Sequence, residues 1–169
     1  MGKENITKDI AGFFEQALEI EQKSADIYAA LSKLFSHVPE ISVIWDALAK
    51  EEEQHRDTLR EIYNSLTNEQ LFSFLNEDIM QKVNEIRNIL NQDLISPIKN
   101  LNDAYELAHQ LEYFEVEALF KFLANKVITS EERKNFILSE INDHQQKLMV
   151  FSNKFGDATS RRRVTIQST

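Results

Sequence analysis

The stretch from residue 67 to residue 100, TNEQLFSFLNEDIMQKVNEIRNILNQDLISPIKN, separates two pairs of amphipathic segments and is far too long for a hairpin turn. On its N-terminal side, Ile10, Phe14, Ala17, Ala25, Tyr28, Leu31 and Phe35 keep the three- and four-residue steps of one helix face. Pro39 interrupts that pattern at a position suited to the first turn of a new helix, along which Ile41, Ile44, Leu48, Leu59, Ile62 and Leu66 continue the spacing. Beyond the long connection, Leu101, Tyr105, Ala108, Leu119 and Phe122 mark a third helix. TSEE at Thr129 to Glu132 reads as a capping box opening a fourth, with Ile137, Ile141, Leu148, Phe151 and Phe155 inward and Gly156 as its C-cap. Short, long and short connections in that order predict an all-α four-helix bundle with one long crossover between helices two and three. The crossover is itself partly helical: Ile79, Val83, Ile86 and Leu90 form a stripe suited to packing across the bundle or against a second subunit.

Composition agrees. Three glycines and two prolines leave little turn material, so strong helix formers dominate the chain. Without cysteine there is no disulfide framework, iron–sulfur cluster or thiolate zinc site, and any metal must take nitrogen and oxygen ligands. The apolar runs are too short for a membrane span or a signal peptide, which predicts a soluble cytoplasmic protein with no membrane partner. A net charge of −9 argues against nucleic acid. Residues 157–169 differ from the bundle at 1–156. They carry the triple arginine Arg161 to Arg163 and read as a basic, solvated C-terminal tail.

Each apolar stripe is broken by ionisable groups. Glu21 interrupts the first helix, Glu52 and His55 the second, Glu112 and Glu115 the third, and His144 the fourth. A carboxylate on an inward face costs several kcal/mol if it stays charged and unpaired. No Lys or Arg falls in the same stripe positions, so a metal is the simplest neutralising partner. Iron, manganese and zinc all suit carboxylate with imidazole. Glu52 and His55 are three residues apart and share a helix face. The two halves also repeat: ALEIEQKSADIY from Ala17 aligns with AHQLEYFEVEAL from Ala108, and EEEQHRDTL from Glu51 with EINDHQQKL from Glu140. Such a repeat brings two ligand sets face to face in mid-bundle. Trp45 and the eleven Phe read as core or interface filling, Phe72 and Phe74 as a subunit contact, and His37 and His109 as solvated.

EIEQKSADIY, EEEQH and LEYFE resemble the ferritin-like di-iron carboxylate proteins, and within them the rubrerythrins, over roughly residues 9 to 155. The resemblance implies a ferritin-like bundle holding two irons on Glu21, Glu52, His55, Glu112, Glu115 and His144, with Tyr28 matching a tyrosine near the metals. Two departures stand out. The family's second E-x-x-H should have Glu at 141, where this chain has Ile141; Glu115, or Glu140 one position earlier, is then the replacement carboxylate. The rubredoxin-like domain cannot be built without cysteine, so an electron donor must be a separate molecule. The implied activity is an oxidoreductase that reduces peroxide or oxidises ferrous iron, with hydrogen peroxide or dioxygen as oxidant, in a homodimer. Two other readings share the bundle: a ferritin-like iron storage protein, and a degenerate bundle with an interaction role, Ile141 marking a lost site.

Overall fold

The computed structural model describes residues 8–115 and 119–167, and the side chains of all of these except Glu115, Ile141, His144 and Gln145. Helix α1, Ile10–Leu34, opens where the Asp9 carboxylate accepts from the Gly12 amide at 2.8 Å. Helix α2, Pro39–Ser65, starts on Pro39, whose missing N–H is no loss in a first turn. These two make the most extensive helix pair. The crossover holds a one-turn helix α3, Asn68–Leu71, capped reciprocally by Thr67 and Gln70, and helix α4, Glu77–Leu90. Met80, Val83, Ile86 and Leu90 of α4 are buried, and α4 packs along α1 of its own chain. Arg87 clamps it there, donating from Nε to Glu19 at 2.9 Å. The expected stripe is therefore real, with Met80 inward and Ile79 half-buried.

Helix α5 runs Leu101–Glu115, and the third helical stretch resumes beyond the undescribed residues, finishing as a π-helical turn at Leu123–Val127. Helix α6, Glu131–Phe155, is capped by Ser130, whose hydroxyl accepts from the Arg133 amide at 3.4 Å. The cap thus sits one residue later than the Thr129 reading, because it is the Ser130 hydroxyl that meets the amide of the third helical residue. Gly156 ends α6 at φ 77°, where any side chain would be strained. No strand occurs among the described residues, and isolated bridges join Asp9 to Phe74 and Asn100 to Thr165.

The basic C-terminal segment corrects the expectation of a solvated tail. Helix α7, Ala158–Arg162, turns back on α5, and the strand-like end bonds to the chain through Leu101 N to Val164 O and Ile166 N to Lys99 O. The reason is Arg161. Its side chain is buried, lies over the Tyr105 ring at 4.2 Å, and donates to Asn102 Oδ1 at 3.2 Å, Ser152 Oγ at 3.3 Å and the Gly156 carbonyl. Charged hydrogen bonds and a cation–π contact outweigh the freedom of a tail. Arg161→Ala is expected to cost about 2–3 kcal/mol, read as a lower melting temperature that Arg161→Lys does not restore.

Candidate metal centre

Midway along the bundle, α1 and α2 bring Glu21, Glu52 and His55 together, with one ligand atom from each within 4.8 Å of the others. Glu21 and Glu52 have no exposed surface and His55 is 5 % exposed. His55 Nδ1 lies 3.0 Å from Glu52 Oε2 and 3.4 Å from Glu21 Oε2, so one edge of the imidazole faces both carboxylates. The opposite edge points elsewhere: Nε2 is 3.9 Å from Glu140 Oε2 on α6. The Phe120 ring stands edge-on to the imidazole at 5.2 Å.

Glu112 on α5 is buried too, and Tyr28 of α1 donates its hydroxyl to Glu112 Oε1 at 2.7 Å. Glu115 and His144 occupy the last position of α5 and the middle of α6, but their side chains lie outside the described residues, as does that of Ile141. Of the sequence-expected ligands, three thus converge, Glu112 and Glu140 flank them, and two are not described. Sequence reasoning missed Phe120 as a wall of the His55 site. Its apolar signal was present but read as core alone.

Among the described residues, carboxylates crowd the His55 imidazole. Burial pushes the Glu52 carboxyl well above the usual range; the His55 hydrogen bond opposes this, and the neighbouring Glu21 and Glu112 charges add to it. Burial works to lower the His55 imidazole, but the hydrogen bond to Glu52 and the charges of Glu52, Glu112 and Glu140 outweigh it, so the imidazole is held above its ordinary value. Two carboxylates and an imidazole nitrogen, all buried, match the hard and borderline donors of iron, manganese or zinc.

The rubrerythrin family model matches residues 12–148, most of the bundle. The chain belongs to the rubrerythrin family. Comparison with curated proteins and with solved structures returns no match. Membership in the rubrerythrin family accounts for the ferritin-like helical bundle, and with the buried Glu–Glu–His group it points to metal binding. No described helix is long and apolar enough to cross a membrane.

Proposed function

We propose that this rubrerythrin-family chain is a non-haem di-iron oxidoreductase that reduces hydrogen peroxide. The observation that carries the reading is the convergence of Glu21, Glu52 and His55, buried within 4.8 Å of one another. These three would hold one ion. Glu112 and His144, which repeat Glu21 and His55 in the other half of the chain, would hold the second, with Glu115 in place of the carboxylate that Ile141 lacks. When bound, iron supplies the electron pair that cleaving an O–O bond requires.

The residues of the chain do the rest. Glu21 and Glu52 offset the charge of the ions and keep them from leaving. His55 would bind through Nδ1, and Glu140, 3.9 Å from Nε2, sets a carboxylate charge on the far edge of the ring. That geometry favours Glu140 as a support of His55 over Glu140 as a stand-in for the carboxylate missing at Ile141, a task left to Glu115. Tyr28 orients Glu112 and keeps a proton on an O–H at the edge of the carboxylate layer. Phe120 and the surrounding apolar side chains exclude water. The bundle carries no cysteine for an iron–sulfur centre of its own, so this reading assigns the reducing electrons to a redox centre outside it.

Metal content tests the reading. Protein loaded with ferrous iron without oxygen and then desalted should retain about two ions per chain, as in the di-iron bundles. It should then consume peroxide stoichiometrically. Retention of a single ion would confine binding to the Glu21, Glu52 and His55 group and sink the di-iron form. Retention of none would sink the metal site altogether.

A further inference from the structure

We propose that the cleft between α5 and α6 is the route by which a ferrous ion enters the carboxylate layer, with His109 as the first ligand it meets. The inference rests on the metal-binding reading above and deepens it. On α1 and α2 the layer is shut off from solvent: Glu21 and Glu52 have no exposed surface, and the Phe120 ring stands against His55. Glu112 is buried as well, yet it forms part of the wall of a cleft of about 290 Å³. His109, Tyr113, Met149 and Asn153 line the same cleft and are all exposed. The larger clefts at the start of α1, of about 530 Å³, and along α4, of about 400 Å³, touch none of the candidate ligands.

Grooves of this size are ordinary where helices pack. What sets this one apart is the buried candidate ligand in its wall. Glu112 belongs to the cleft and to the layer at once: its Oε1 accepts from the Tyr28 hydroxyl at 2.7 Å, and its charge acts on both Glu52 and His55.

The lining suits a small cation. A divalent ion leaves water at great cost unless donor atoms replace its hydration shell. His109 lies three residues before Glu112, so the two side chains leave the same face of α5 one turn apart. Tyr105 and Tyr113 add hydroxyls to the wall and Asn153 an amide oxygen, and the Tyr105 ring lies 6.2 Å from the His109 imidazole. No Lys or Arg is among the lining residues. Arg161, over the Tyr105 ring, directs its donors to Asn102, Ser152 and the Gly156 carbonyl. A carboxylate in a cleft lined by no basic side chain draws cations inward. The passage is ligand exchange alone. His109 displaces a water from the hydrated ion at the exposed end, Glu112 displaces another, and the imidazole releases as the buried carboxylates take hold.

Cobalt(II), next to ferrous iron in the order of affinities, is the probe, and its visible bands report binding. The metal-free full-length chain is mixed rapidly with cobalt, and release into excess chelator is followed separately. Met149→Trp fills the mouth of the cleft from an exposed helical position. It should slow association by about tenfold, a barrier higher by about 1.4 kcal/mol. His109→Ala should slow association too. In both variants release should slow by the same factor as entry, leaving the equilibrium affinity that of the wild type, because a route sets rates and not the depth of the site. Asn88→Trp, in the cleft along α4, should leave the rates alone. Wild-type rates in Met149→Trp or in His109→Ala overturn the proposal, and so does slowing by Asn88→Trp. A loss of affinity in either of the first two overturns it as well, since the residue is then a ligand or a prop of the fold. A wild-type chain that takes up no cobalt removes the metal site itself, whereas uptake at an unchanged rate in the variants removes the route and keeps the site.

Discussion

Glu52→Gln should yield a protein that holds iron poorly and melts higher without it. Glutamine keeps the shape of glutamate and can still accept from His55 Nδ1, so the packing around α2 is preserved. What changes is charge. Burial and the Glu21 and Glu112 charges make ionised Glu52 unfavourable in the metal-free fold, and the amide removes that penalty. Each kcal/mol recovered raises the melting temperature by about 2–4 °C in a chain of this length. The loss on the metal side is larger. Removing an outer partner of a metal ligand costs about 10–100-fold in affinity, and removing a carboxylate ligand itself exceeds that. Two measurements decide it, thermal melting in chelator at neutral pH and a ferrous titration without oxygen. A variant that keeps full iron affinity would show that Glu52 is no ligand. One that melts lower in chelator would show that the carboxylate stabilises the empty fold, the opposite of a group held in reserve for a cation.

What the sequence disclosed about the fold and the site follows one rule: patterns local to a helix were legible, and pairings across the molecule were not. The steps through Ile10, Phe14, Ala17, Tyr28 and Leu31 fixed which face of α1 turns inward, and all of these residues are buried. The same steps exposed Glu21, Glu52, His55 and Glu112 as breaks, because a polar group on an apolar stripe is visible without knowing its neighbours. Connection lengths alone predicted the crossover. Arg161 shows the limit. In the sequence it is one of three adjacent arginines at a chain end, and a charge run of that kind is ordinarily solvated. Its burial depends on Asn102, Ser152 and the face of Tyr105, which no local pattern connects to it. Glu140 is a second case. Helical register put it one step off the inward stripe, yet a glutamate is long enough to bring its carboxylate to 3.9 Å from His55 Nε2. The π-helical turn at Leu123–Val127 is a third, since the same apolar spacing suits an α-helical or a π-helical backbone over so short a run.

Iron affinity should rise steeply with pH, and the metal-free fold should weaken over the same range. Both follow from one sign. Glu52 and His55 are held above their ordinary values, 4.5 and 6.5 for the free side chains. A group raised in the folded state binds its proton more tightly there than in the unfolded chain. Its contribution to stability is therefore complete below the unfolded value and is lost as pH rises through the folded one. From mildly acidic to mildly alkaline pH these two groups make the empty bundle progressively less stable. An ion needs the same carboxylate and imidazole without their protons, so binding expels them. Up to two protons released corresponds to an apparent affinity that climbs by as much as about a hundredfold per pH unit, or about 2.7 kcal/mol. The melting temperature of the loaded protein should then rise relative to the empty one as pH increases, the gap widening where the empty fold is failing. Calorimetric titration in buffers of different ionisation enthalpy counts the protons directly. A pH-independent affinity, with no proton released, would mean that Glu52 and His55 already face one another without protons and that the cation has nothing to displace.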